Sequence, residues 1–399
     1  MRFLSKVSII LAAGYLASVE IRNARAHPLA ATPSQQGHDD ILRIIDSYDR
    51  SSGPNSTVNE LLESSSLRRR NAQPIFIPLD PGKGDVPYFA SLRIGTNPNP
   101  FRIIADTGSA DFWVYSSTCP TRGNKNSVNA LPVPGTRAIS LRYENGAGLT
   151  AGTIREAVNF GGQFVDLMFA AATKVSAMIS SGPEDGLMGF SRASASAMGL
   201  PPVVDSLAQS GLIPERVTGW KLSRGIDGRN DGELVLGGVN PTKFVARSKV
   251  TVRSLDPGHW LAPIEAASIN GARVINSPRV AILDTGAPDI SMSFEDAEAL
   301  HAVIPGLIVT HAGDYFLPCD NRAVLSLSIG GTSWPVDPRD LVNEPAPPEA
   351  RLPPGYCYSS IQSVFGRQPG EWLVGSPFLK NVYMTLDSTA NTIGIARLR

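Results

Sequence analysis

The chain has 399 residues, more than one ordinary domain needs, and can bury one large core or two. Lys plus Arg and Asp plus Glu balance at 36 each, so no net field selects nucleic acid or an anionic membrane surface. Only 18% of residues are charged, while 37 are glycine and 32 proline, a turn-rich composition that argues for an all-β chain and against a helical bundle.

At the N-terminus Arg2 and Lys6 precede the apolar run VSIILAAGYLA (7–17), and Ala24-Arg25-Ala26 offers small residues for cleavage. This predicts a secretory signal peptide over 1–26, because the run is too short to span a bilayer. A buried helix would show the same apolar run but would not need those flanks. No second long apolar run follows, and the C-terminal TIGIARLR is charged, so no membrane anchor is expected. The product is expected outside the cytosol, secreted or alternatively vacuolar.

Residues 27–70 read as a propeptide. DDILRIIDSY (39–48) puts Ile41, Ile44, Ile45 and Tyr48 at helical spacing behind two acidic residues. A Ser-rich stretch then leads to Leu67-Arg68-Arg69-Arg70. Three arginines also suit a solvated linker. Downstream of a signal peptide they better suit a basic-residue processing site that releases a mature chain near Asn71. The N-glycosylation acceptor Asn55-Ser56-Thr57 would leave with this segment.

From Pro74 onward short strands alternate with turns. PYFASLRIGT (87–96) alternates Tyr88, Ala90, Leu92 and Ile94 before a glycine turn, and GELVLGGV (232–239) and LSLSIGG (325–331) are similar. Helical patterns are brief, around 202–211 and 294–303. Twice an apolar run delivers an aspartate into a Thr-Gly turn: FRIIADTGSADFWV (101–114) and AILDTGAPD (281–289). One such triplet arises by chance in roughly one chain in ten of this length, and Asp, Thr and Gly are ordinary turn residues. The repetition is informative.

Each triplet is followed by an apolar-apolar-Gly element, DGLMGF (185–190) and WLVGSPFL (372–379). Asp106 and Gly189 are 83 residues apart, Asp284 and Gly375 91, which suggests a diverged internal duplication. A glycine there lets a second backbone pass close to the aspartate-bearing turn. Two lobes, each presenting one framed aspartate, suggest a site assembled where they meet.

These segments, in this order and spacing, resemble the pepsin-like aspartic proteases over nearly all of 74–399. The resemblance implies a bilobal, mostly antiparallel β fold, with an N-terminal lobe over 71–245, a C-terminal lobe over 246–399 and the active site in the cleft between them. It implies catalytic Asp106 and Asp284, supported by Thr107, Gly108, Ser109, Thr285 and Gly286. AISLRYENGAG (138–148) aligns with the family's flap hairpin. That gives Tyr143, Glu144 and Gly146 as flap and substrate-binding residues, and Trp113 as the hydrogen-bond partner of Tyr143. Cys319 and Cys357 match the second-lobe disulfide, which would close a loop worth roughly 4 kcal/mol by chain-entropy arithmetic. Cys119 has no partner of that kind and is left buried or as an accessible thiol. The implied partner is a peptide or protein substrate met by a monomer, with no cofactor, no metal and no nucleic acid.

The chemistry needs both aspartates. Carboxylates about 3 Å apart cannot both ionise cheaply, so they share one proton and titrate as a pair. The ionised member takes a proton from a water that attacks the scissile carbonyl, and the protonated member donates to the developing oxyanion. An aspartic endopeptidase active at acidic pH is therefore expected. The alternative is a family member that binds peptides or hydrolyses one small dedicated substrate. Departures from the family pattern keep that alternative in view: Ala287 and Pro288 follow the second triplet, Glu144 replaces a small flap residue, and Ser376 replaces an aspartate after Gly375. Without a hydroxyl at 287 the Asp284 pKa should rise.

Other chemistries fit less well. GFSRA (189–193) approaches a serine-hydrolase elbow, with Asp256 and His259 downstream, but ends in Ala and lacks the strand–helix alternation of that fold. The histidines make no H-E-x-x-H. GAGLTAG (146–152) misses the dinucleotide fingerprint by one residue and reads better as a hairpin tip.

Overall fold

The computed structural model describes residues 72–399 except Asn145 and Gly366. The proposed signal peptide and propeptide, with the 39–48 helical pattern, lie outside the described residues.

Sheets dominate. One sheet has 14 strands and three smaller ones have five, four and four, while helices among the described residues are short. The expected brief helices form at Val203–Gln209 and Phe294–His301, the second with Ser293 accepting from Asp296 N at its N-cap.

The duplication legible in the sequence is also present in the strand pairing. In the first half Phe101–Asp106 runs parallel to Gly186–Gly189, with Asp106 opposite Gly189. Tyr88–Ile94 flanks it antiparallel on one side. On the other side of Gly186–Gly189, Phe112–Ser116 pairs antiparallel and then parallel to Gln163–Val175. In the second half Arg279–Leu283 runs parallel to Glu371–Val374, with Leu261–Ile264 antiparallel on its flank. Ile290–Met292 pairs antiparallel with Glu371–Val374 and parallel to Ile361–Ser363. The two halves thus share one five-stranded pattern. Their aspartate-bearing strands are buried on both faces, which is why they read as unbroken apolar runs rather than alternating ones.

The halves share a sheet and a core. The C-terminal Val382–Asp387 and Thr392–Arg397 pair with each other, and Val382–Asp387 with Val217–Lys221. That strand continues through Gly232–Leu236 to Ile75–Pro81. One apolar cluster runs through Ile103, Met188, Trp220, Trp260, Leu283 and Val374. Trp260 Nε1 donates to Phe190 O at 2.9 Å, tying the second half to the segment beside Asp106.

Both framing glycines are required by space. A Cβ at Gly189 would sit 2.6 Å from Ser109 O, and one at Gly375 2.3 Å from Ala287 O. In each half the close approach is bonded: Gly189 N donates to Asp111 O and Gly375 N to Asp289 O, both at 3.0 Å. The 146–152 segment differs from expectation. Only Gly146, at φ +82°, belongs to the hairpin turn, while Gly148 and Gly152 lie inside the Gly148–Phe160 strand. Gly148 is there for room, since a Cβ would stand 2.9 Å from Leu141 O across the hairpin.

Candidate active site

Asp106 ends its strand and Asp284 follows the last residue of its own, so the two turns point their carboxylates at one place. Both side chains are fully buried and in hydrogen-bonding contact with each other. Each accepts from the glycine N–H two residues on, Gly108 at 2.9 Å and Gly286 at 2.8 Å.

The threonines join the two turns reciprocally. Thr107 N donates to Thr285 Oγ1 (3.0 Å), and Thr285 N donates to Thr107 Oγ1 (2.9 Å). Each hydroxyl then donates into the opposite strand, Thr107 to Leu283 O (2.8 Å) and Thr285 to Ala105 O (2.7 Å). All four polar atoms are buried with their partners, so the arrangement fixes one turn against the other.

The pair is not symmetric. Ser109 Oγ donates to Asp106 Oδ2. The corresponding position in the second half is Ala287, and Asp284 Oδ2 has no hydroxyl donor among the described residues. Burial raises both carboxyls above their ordinary range. Asp106 is raised further by the charge of Asp284 and by hydrogen bonding toward it. Two carboxyls so placed share one proton and titrate as a pair.

The hairpin over the pair is made by Ile139–Arg142 and the start of Gly148–Phe160. Tyr143 N donates to Ala147 O and Gly146 N to Tyr143 O, both at 2.9 Å, which closes the turn. Trp113 Nε1 donates to Tyr143 Oη at 2.8 Å. Burial, with the Asp106 charge nearby, raises the phenol pKa, so Tyr143 stays neutral and keeps its own proton to donate. Glu144 at the tip forms an ion pair with Arg367, on the loop between Ile361–Ser363 and Glu371–Val374.

The remaining residues fall elsewhere. Cys319 and Cys357 are disulfide-bonded, at the ends of neighbouring strands in the second half. Cys119 is an unbridged, buried thiol. Ser191 of the GFSRA segment is buried and donates to Thr107 O at 2.7 Å, so it supports the first turn and is no exposed nucleophile.

Sequence reasoning passed over three groups. Asp111 is buried and accepts from Ser196 Oγ (2.6 Å), Ala197 N (2.9 Å) and Met198 N (3.2 Å). Asp289, at the same offset in the second half, is buried and accepts from Asn343 Nδ2 at 2.8 Å. The signal was available, because the repeat is Asp-Thr-Gly-x-x-Asp in both halves. Arg367 carried no such signal.

With this geometry, the comparisons give the class. The eukaryotic aspartyl protease family matches residues 87–398. The chain is 30% identical over 383 residues to aspartic-type endopeptidase ctsD of Aspergillus fumigatus, covering 89% of this chain and 77% of that protein. It is 29% identical to major aspartyl peptidase 1 of Cryptococcus neoformans, covering 79% and 69%, and 28% identical to human napsin-A, covering 82% and 81%. The chain belongs to the eukaryotic aspartyl protease family. It is a peptide hydrolase, with the mostly β, bilobal fold of that family.

Proposed function

We propose that the chain is an acid-acting aspartic endopeptidase in which Asp106 and Asp284 together activate water against the scissile carbonyl. The observation that carries this reading is the doubled turn: two buried carboxylates in contact, tied by reciprocal threonine bonds. The ionised member takes a proton from the attacking water as its oxygen bonds to the carbonyl carbon. The protonated member gives its proton to the carbonyl oxygen, producing a neutral tetrahedral diol. When the C–N bond breaks, the carboxyl that took the water proton gives it to the amine nitrogen, the other carboxylate takes a proton from a diol hydroxyl, and the carboxyl product leaves with the pair in its starting state. Tyr143 and the hairpin exclude bulk water during these steps.

In the same reading 1–26 is a signal peptide, 27–70 a propeptide and Arg68–Arg70 the maturation site, so the enzyme is secreted or vacuolar. No described helix is long and apolar enough to cross a membrane. The test is hydrolysis of casein or haemoglobin between about pH 2 and 7, with and without pepstatin. Pepstatin-sensitive cleavage at acidic pH is expected.

A second reading, a homologue specialised to one small substrate or to peptide binding, draws on Ala287 at the dyad and on the Glu144–Arg367 pair over the cleft. A folded protein that binds pepstatin but cleaves no protein at any pH would select it.

A further inference from the structure

The Glu144–Arg367 pair joins two parts of the molecule that must separate for a peptide to reach the dyad. Glu144 belongs to the tip of the first-half hairpin, and Arg367 to a second-half loop. Both ends are held. On the hairpin side, Tyr143 is fixed by Trp113 and by the turn bonds on either side of it. On the loop side, Arg367 N donates to Val364 O at 3.2 Å, and the guanidinium reaches Glu371 at 3.2 Å and Ser291 Oγ at 3.5 Å. The Arg367 side chain is only 3% exposed although it carries a full charge, and that of Glu144 is 24% exposed. A charge so buried is retained only with its partners in place.

We infer that Glu144 and Arg367 form a latch that holds the hairpin down on the second half in the resting enzyme and parts to admit a peptide. Arg367 acts through the hairpin and touches no reacting atom, so it is a positioning residue. Glu371 stays with Arg367 when the latch opens, which keeps the guanidinium paired and lowers the cost of opening. Glu371 shares the guanidinium on the loop side, and the Glu144 charge raises the Asp284 carboxyl. The inference rests on the peptidase reading only in taking the cleft to be the peptide site.

The association rate of pepstatin tests the latch without requiring turnover. Glu144→Gln and Arg367→Gln should each bind pepstatin about two- to fivefold faster than wild type, the range expected for one partly exposed ion pair. The double variant should be no faster than either single variant, because both remove the same contact. Arg367→Lys, which keeps a charge but loses the fork, should fall between. A second readout is specific to Glu144: its removal takes a negative charge away from Asp284, so the acidic limb of the pH–rate profile should move to lower pH. Equal association rates in all five proteins would overturn the latch, as would slower binding accompanied by a fall in Tm, which marks a purely structural pair. A wild type that binds no pepstatin at all would instead overturn the peptidase reading.

Discussion

Position 287 gives the sharpest test of how the dyad is tuned. In the first half Ser109 donates a hydroxyl to Asp106 Oδ2, whereas Ala287 offers Asp284 Oδ2 no hydroxyl among the described residues. Ala287→Ser adds one oxygen at the equivalent place. Serine is a modest intrusion into the small apolar cluster of Ile282, Ala287 and Leu373. A hydrogen bond to a charged group is worth roughly 1.5–3 kcal/mol, or about one to two pKa units. The sign follows from which form the bond favours. The hydroxyl stabilises ionised Asp284, lowers its pKa, and lets the singly protonated pair persist to lower pH. The acidic limb of kcat/KM should therefore move down by about one to two pH units, while the alkaline limb moves less. The assay is a pH–rate profile of both proteins between about pH 2 and 7, each first shown to stay folded over that range. An unmoved acidic limb would refute the account of residue 287. Movement of the alkaline limb alone would place the resting charge on Asp106.

Asp106→Asn and Asp284→Asn should each abolish hydrolysis, non-additively, because neither can hold the shared-proton state. Burial raises both carboxyls, so as pH rises the unfolded chain ionises first and the native state loses stability; the Asn variants escape this loss and should show an equal or higher Tm at neutral pH. Active single variants would sink the dyad assignment. Thr107→Val strands Leu283 O and Thr285 N in a buried setting, and should cost about 2 kcal/mol or more in urea unfolding; an unchanged midpoint would mean that the cross-bonds do not hold the turns. Protein expressed in a secretory host should begin near Asn71, with processing delayed when Arg68, Arg69 and Arg70 are alanine; an intact propeptide on fully active enzyme would count against that maturation site.

Much of the site was legible because its demands are local. A doubled Asp-Thr-Gly after an apolar strand announces two turns, and a glycine at a fixed distance announces a backbone passing within a Cβ of each. The Trp113–Tyr143 bond links residues 30 positions apart on different strands, so it came only through the family resemblance. Asp111 and Asp289 stood in plain view but looked like turn punctuation, since nothing local shows whether an aspartate faces water or a buried N–H. The pairing of Val382–Asp387 with Val217–Lys221 is a register chosen across more than a hundred residues, and local alternation does not encode the partner. Arg367 lies in an aperiodic loop, and its burial depends on a hairpin contributed by the other half.

The two halves match most closely where the backbone must be held and differ where the charge must be placed. The glycine N–H bonds, the threonine cross-bonds and the buried aspartate at the sixth position recur in both. The hydroxyl on the carboxylate and the acidic side chain above it do not: Ser109 serves Asp106 alone, and the Glu144 charge acts on Asp284. Two identical turns would leave the shared proton undecided between equal carboxylates. A lone donor missing from one side and a lone charge added above it are enough to unbalance them, since each alters only the ionised form of its own neighbour. The latch and the dyad are then coupled through one residue. When Glu144 swings away with the hairpin, Asp284 loses a repulsive neighbour, and its ionised form becomes easier to hold as the peptide arrives.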